Sequence, residues 1–302
     1  MEPSSNPETG GGALKADPPQ PESGEAVGIS SAVVPQRWSR YVAVVGFVGL
    51  WMGIGILLKL DANQYLLVGV PLTIGFQGLV ARKPIRALWV RSSPPLRLTR
   101  GWLGATAAIG LLPAVELASG GWKAGPVIVG WLVCAMLGAP AAAYAIQNAN
   151  RRVAHSAKPA VQIFFFISLL LIVTAVLSRP VLAVFSGTSV VAFLRWTALY
   201  FPVCFILEEV TFRGALDAYL NNAEHPDGKS SAMVLSILWG IWHLGAETVP
   251  DITIGTIFGV AIWHLVIGTM LSFSWRIGGN LLAPAAAHAA IDGVRNAVLA
   301  VG

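Results

Sequence analysis

An all-helical, polytopic transmembrane bundle of about eight to nine spans is what this sequence predicts, and three observations carry the prediction. Residues of the AVILMFWYC set make up 55% of the chain and charged residues only 12%, against roughly 25% charged in an ordinary globular domain. Uncharged runs such as Tyr41 to Leu58, Ala124 to Asn150 and Ile252 to Trp275 have the length, about 20 residues, that crosses a hydrocarbon core of about 30 Å. Lys and Arg gather in alternate connections between those runs. So few charges cannot make a water-facing surface, which excludes a soluble enzyme, a nucleic-acid binder and a disulfide-stapled secreted domain. The net charge of +5 needs no acidic partner, because basic loops orient membrane proteins. Cys134 and Cys204 both lie in apolar runs and offer neither a disulfide framework nor a cysteine-type zinc site.

Residues 1–38 are rich in Pro, Gly, Ser and Glu and have no apolar period, so they read as a disordered cytoplasmic tail. They are acidic where a signal peptide is basic. Residues 39–180 form the N-terminal transmembrane helices, with hydrophobic segments over 41–60, 64–81, 101–118, 124–147 and 160–178. Residues 181–302 form the remaining transmembrane region, with segments over 181–207, 231–249, 252–273 and 279–300. The first of these four also reads as a short interfacial piece followed by a long helix from about 194 to 220, kinked at Pro202.

With the N-terminus inside, thirteen loop cations fall on the cytoplasmic side, six of them between Arg82 and Arg100, and three (Lys59, Lys123, Arg179) fall outside. The positive-inside rule selects that topology, with the plasma membrane as the expected location. It also sends the segment ends near 208–230 and 274–279 to the cytoplasmic side. No internal repeat of the kind found in many transporters is visible.

A charge at a helix centre costs about 2.5–3.5 kcal/mol on insertion scales, so intramembrane ionisable residues are functional candidates. They concentrate in the last third of the chain. In Glu208-Glu209-Val210-Thr211-Phe212-Arg213, about 100° per residue puts Glu209 and Arg213 on one face as a pair and turns Glu208 elsewhere. His243 follows Trp239 by one turn, and His288 and Asp292 share a face at i, i+4. A carboxylate and two histidines from three helices are the parts for activating water and stabilising an oxyanion.

Plainer readings stand beside these. A single intramembrane histidine such as His264 suits an interhelical hydrogen bond. Glu247 has His243 one turn away or an outer interface for company. Arg195 and Arg295 can snorkel, and the many aromatics, Trp239 included, serve as packing or lipid-facing surface. A buried ion pair accounts for Glu209 with Arg213 but leaves Glu208 unexplained.

The ordered set Glu-Glu-x-x-x-Arg at 208–213, aromatic-x-x-x-His at 239–243 and Gly-Asn-Leu-Leu-Ala-Pro-Ala-Ala-Ala-His-x-x-x-Asp at 279–292 resembles the motifs of the CPBP (CAAX protease and bacteriocin-processing, Abi) intramembrane proteases, which include the type II CAAX-prenyl endopeptidases. The resemblance covers about residues 194–298. It implies an intramembrane endopeptidase that hydrolyses a peptide bond of a membrane-associated protein. In that reading Glu208 and His243 activate the water, His288 and Asp292 form the oxyanion side, and Glu209, Arg213 and Trp239 support them. Cleavage is then expected near the cytoplasmic side, in a cavity open to it.

Two departures from the family pattern matter. Trp239 stands where Phe is usual, and Asp292 where Asn is frequent. As an anion Asp292 cannot donate to an oxyanion, so it is a protonated donor, an orienting partner of His288, or a metal ligand. No His-Glu-x-x-His pair is present, and Glu208, His243 and His288 are the alternative ligands for a divalent metal such as zinc; the family pattern favours a metal-free site. The implied partners are membrane lipids and a membrane-associated protein or peptide, with no nucleic acid. The alternatives from other classes are a non-catalytic scaffold or immunity partner of the same fold, and a proton-coupled transporter.

Overall fold

The computed structural model describes residues 33–120, 123, 125–178, 187–221, 228–246 and 252–299. Most of the tail and the residues Arg179 and Glu247 lie outside them. Within the described residues every hydrophobic segment is helical. α1 (Val33–Leu58) begins inside the stretch assigned to the tail. α2 (Ala62–Gly75) runs on into a π-helical turn at Phe76–Val80, and α3 is Arg100–Ala118. α4 (Pro126–Gln147), α5 (Arg151–Ser178) and α6 (Gly187–Ile206) follow. α6 turns at Leu207 and Glu208, continues as a π-helix over Val210–Asp217 and ends in one α turn at Leu220. α7 (Gly228–Trp242), a short 3₁₀ turn (His243–Gly245), α8 (Ile254–Gly278) and α9 (Leu282–Leu299) complete the bundle.

Six of these stretches are long and apolar enough to cross a hydrocarbon core: Trp38–Leu58, α3, α4, α5, Ser189–Leu220 and α8. α2, α7 and α9 are shorter or more polar, and α7 and α9 carry residues of the polar cluster. The chain is an all-α, multi-pass integral membrane protein.

Local chemistry fixes several helix starts. Asp61 caps α2, accepting from the backbone N–H groups of Asn63 and Gln64 at 2.8 and 3.0 Å, while Gln64 accepts from the N–H of Asp61 at 3.1 Å, a reciprocal capping box. Thr99 and Thr253 cap α3 and α8 in the same sense. α6 lies antiparallel along α9 and α7 antiparallel along α8, while α5 packs against both α8 and α9, antiparallel to the first and parallel to the second. Gly240 serves the α7–α8 contact, since a Cβ there would come within 2.7 Å of the Val260 carbonyl oxygen.

The two ends of the bundle differ in chemistry. At the basic end Arg276 holds the buried Asp217 at 2.6 Å and also donates to Ser231 and the Gly228 carbonyl. Asn280 donates to the Ala145 carbonyl at 2.8 Å, Ser274 to that of Ser156 at 2.8 Å, and Lys83 to that of Ala218 at 3.3 Å. At the opposite end the finish of α1, the start of α2 and the finish of α7 are clamped by aromatics. The Trp51 indole N–H donates to the Tyr65 carbonyl, and the Tyr65 hydroxyl to the Trp242 carbonyl, each at 2.9 Å. Tyr65 stacks on Trp242 with ring centres 5.0 Å apart.

Candidate active site

The helix ends set the depth of each polar residue. His288 lies six residues into α9 from the basic end, about 9 Å at 1.5 Å per residue. His243 follows the last residue of α7, a 15-residue helix that starts at that same end, which raises it by about 22 Å. Glu208 sits where α6 turns into its π-helical part. π-helical turns are rare and recur at functional sites, and this one re-aims the chain immediately after Glu208.

Two layers result. The deeper is closed to solvent. Glu209 Oε1 accepts from Arg213 Nη1 at 3.0 Å and faces His288 Nδ1 at 2.9 Å, with the Glu209 and Arg213 side chains 0% and 1% exposed. The Arg213 guanidinium also donates to the Gly268 carbonyl at 3.3 Å and lies 4.2 Å from the centre of the Trp239 ring. The i, i+4 pair expected from helical spacing is present, although its second member stands in a π-helix. Glu209 also reaches His288 across 79 residues of sequence, a bond that no local spacing reveals.

The second layer is accessible. The Glu208 side chain is 16% exposed and that of His243 35%. Glu208 Oε2 accepts from the Trp239 indole N–H at 3.2 Å and lies 4.0 Å from His243 Nε2. His243 Nδ1 is 2.8 Å from the Trp239 carbonyl. A carbonyl only accepts, so Nδ1 carries the proton and Nε2 of the neutral ring presents a lone pair. Two acceptors 4.0 Å apart are what one water satisfies with its two O–H bonds, at about 2.8 Å from each.

Trp239, read from sequence as packing or lipid-facing surface and, through the family resemblance, as a supporting residue, is 2% exposed and central. It donates to Glu208, carries Arg213 on its face, and meets the His264 and His288 rings edge-on at 4.6 and 5.1 Å. Arg295 and Arg195, expected to snorkel, each pair with a carboxylate: Arg295 with Asp292 at 2.9 Å and Arg195 with Glu116 at 2.8 Å. His288 Nε2 lies 3.7 Å from Asp292 Oδ2, beyond hydrogen-bond length.

His264, read as an interhelical residue, lines the same cavity as Glu208 and His243. Its Nδ1 faces the Val260 carbonyl at 2.8 Å, and its ring lies on that of His243 with centres 4.2 Å apart and planes 35° apart. The sequence signal available was its position: ten residues into α8 it sits near the level of Trp239 and His243 on the neighbouring helix.

Glu208, His243 and His288, the alternative set of metal ligands, are not among the groups whose ligand atoms lie within 4.8 Å of one another in the described residues. Among the described residues the grouping whose ligand atoms all lie within 4.8 Å of one another is Cys204, His288 and Asp292. It includes the cysteine discounted from sequence and omits Glu208 and His243. The residues named for a metal therefore do not fit one as a set.

The cavity, about 260 Å³, is lined by Glu208, Trp239, His243, His264, His288 and Asp292 and runs outward past Trp131 to Asn63, Ala62 and Ala246. Its lining includes the first turn of α2 and Ala246, just after the end of α7. None of the loop residues of the basic end is among its lining residues. Loop charges decide which way the ends of a bundle point; where neighbouring helices splay apart is a matter of packing that hydropathy does not encode.

An all-α membrane bundle with a carboxylate–histidine site at mid-depth is a recognisable class. Residues 189–294 match the family model described as type II CAAX prenyl endopeptidase Rce1-like. That region, about a third of the chain, contains every residue of the three motifs. No curated protein and no solved structure matches the chain.

Proposed function

We propose that this protein is an intramembrane endopeptidase, CAAX-protease-like, that hydrolyses a peptide bond of a membrane-associated protein with water activated by Glu208. The observation that carries this is the pair of facing acceptors: Glu208 Oε2 and a His243 Nε2 whose tautomer is fixed by the Trp239 carbonyl, 4.0 Å apart at an accessible cavity wall. The family of residues 189–294 is one of endopeptidases by its description.

In this reading Glu208 takes the proton of the water as its oxygen attacks the substrate carbonyl carbon, and His243 holds the water's other proton. The carbonyl becomes a tetrahedral oxyanion, which His288 meets with an Nε2–H while Glu209 holds Nδ1. Glu208 then returns its proton to the departing amine. Asp292, bound to Arg295 at 2.9 Å, is best read as an anion that orients and charges His288, the second of the three roles open to it. The residues named for a metal do not converge, so no step uses one. The N-terminus and the basic loops lie on the cytoplasmic side of a plasma membrane in this reading, as loop charges indicate.

The test is direct. The purified protein, reconstituted in liposomes with membrane-anchored peptides, yields two fragments whose masses sum to the parent plus one water. His243→Ala and His288→Ala, still folded by circular dichroism, yield none. Solute or proton flux in place of fragments would instead support transport.

His264 enters as a positioning residue. His264→Ala removes the ring that backs His243, and cleavage is expected to fall on the order of 10-fold to 10²-fold. His264→Phe keeps a ring there and is expected to recover most of the loss. Equal defects in both variants would mean that the imidazole nitrogen, and not the stacked ring, does the work.

A further inference from the structure

We infer that the basic end of the bundle holds one anionic phospholipid, its phosphate beside Arg91 and Arg152 and one acyl chain in the seam between α5 and α9. The inference does not depend on proteolysis, and none of the residues involved lines the Glu208 cavity. Its first support is a polar cavity of about 360 Å³ where the start of α5, the α8–α9 connection and residues 90–92 meet. Three arginines and three asparagines line it, and no carboxylate does. Arg276 is already matched by Asp217 at 2.6 Å. Arg91 and Arg152 form no ion pair with a described residue. The Arg91 guanidinium is held in place by the Trp275 and Arg276 carbonyls at 3.3 Å each, with its centre 5.1 Å from that of the Trp275 ring. Asn150 Oδ1 accepts from the backbone N–H groups of Arg152 and Val153 at 2.9 and 3.3 Å, which leaves its amide nitrogen as a donor. Guanidinium groups without a counter-ion, flanked by amide donors, suit a phosphate, and Arg91, Asn150 and Arg152 are exposed, so an anion reaches them without unfolding anything.

The second support is an apolar furrow. Two cavities on the α5–α9 seam share Phe164. One, about 240 Å³, is lined mainly by alanines, Ala157 and Ala160 of α5 against Ala283, Ala286 and Ala290 of α9. The other, about 440 Å³, carries on to Ile172 and Val298. From Ala157 to Ile172 the furrow runs about 22 Å at 1.5 Å per residue, more than the roughly 15 Å of hydrocarbon in one leaflet. It begins five residues after Arg152 on α5 and three after Asn280 on α9, which is about 7 and 5 Å along the helices. A free anion needs only the polar cavity and a neutral lipid only the furrow; an anionic phospholipid uses both. Basic pockets between helices on the cytoplasmic side bind anionic head groups, and the excess of loop cations puts this end of the bundle there.

Native mass spectrometry of the full chain in detergent tests this, with phosphatidylglycerol and phosphatidylcholine of identical acyl chains offered in equal amounts. One phosphatidylglycerol is expected to stay bound, with a preference of about ten-fold or more over phosphatidylcholine. Arg152→Gln changes an exposed side chain and keeps the fold; it is expected to cut that preference about five-fold, and Arg91→Gln to act in the same direction. Ala286→Trp, at an exposed position of the furrow, blocks the chain and is expected to reduce phosphatidylglycerol retention with both arginines in place. Equal retention of the two lipids overturns the inference, as does an undiminished preference in Arg152→Gln. Displacement of the lipid by millimolar inorganic phosphate, together with full retention in Ala286→Trp, would mean a site for free anions and overturns it as well.

Discussion

Glu208→Gln abolishes peptide hydrolysis while leaving the fold intact. The amide keeps the size of the side chain and still accepts from the Trp239 indole at the 3.2 Å separation seen for the carboxylate. It cannot take a proton from water. General-base catalysis contributes about 10²–10⁴-fold, so kcat/KM is expected to drop by that much with KM little changed, because substrate still finds the same cavity. Thermal unfolding in detergent should move little, since the side chain is partly exposed and its one hydrogen bond is retained. Activity within a few-fold of the parent would sink the mechanism. It would point to the deeper His288, Cys204 and Asp292 group as the place where the chemistry occurs.

The second large effect concerns stability. Arg213→Met replaces a guanidinium that is 1% exposed and leaves the Glu209 carboxylate, 0% exposed, without its cation. Breaking a buried pair by removing one partner costs about 3–5 kcal/mol, whereas replacing both partners with neutral groups of similar volume is frequently tolerated. The single variant should therefore unfold at a clearly lower temperature, and the double variant Glu209→Gln with Arg213→Met should regain part of the loss. His288 makes the pair informative, because its Nδ1 depends on Glu209 at 2.9 Å. The double variant should be more stable than the single one and yet inactive. A double variant no more stable than Arg213→Met would show that the charge pairing is not what the bundle relies on.

These residues also show what a sequence can reveal. The all-helical, multi-pass character and the order of the helical segments followed from hydropathy, because a run of about twenty apolar residues has few alternatives once in lipid. The Glu209–Arg213 pair followed from helical spacing, and the exclusion of Glu208 from that pair followed with it. Contacts between helices did not. That Glu209 also holds His288, that Trp239 donates to Glu208, and that His264 lies on His243 depend on the rotation of each helix about its own axis. Packing sets that rotation, and glycines such as Gly240 set how closely the helices approach. The π-helix after Glu208 was invisible for a related reason: it shifts register by a fraction of a turn without altering composition.

The internal pairing of Glu209 with Arg213 has a meaning for how the protein is made. α6 enters the membrane with Glu208, Glu209, Arg213 and Asp217 close together, well before synthesis reaches the partners of two of them. Arg276, which holds Asp217, comes 59 residues later, and His288, which meets Glu209, comes 79 residues later. In the interval the helix must reside in lipid or beside the insertion machinery with its own charges. A cation placed four residues after an anion on one segment neutralises both without waiting for another helix. The same ion pair that braces the finished site thus lets this helix be inserted with one of its three carboxylates already neutralised, and α8 later brings Arg276 to Asp217.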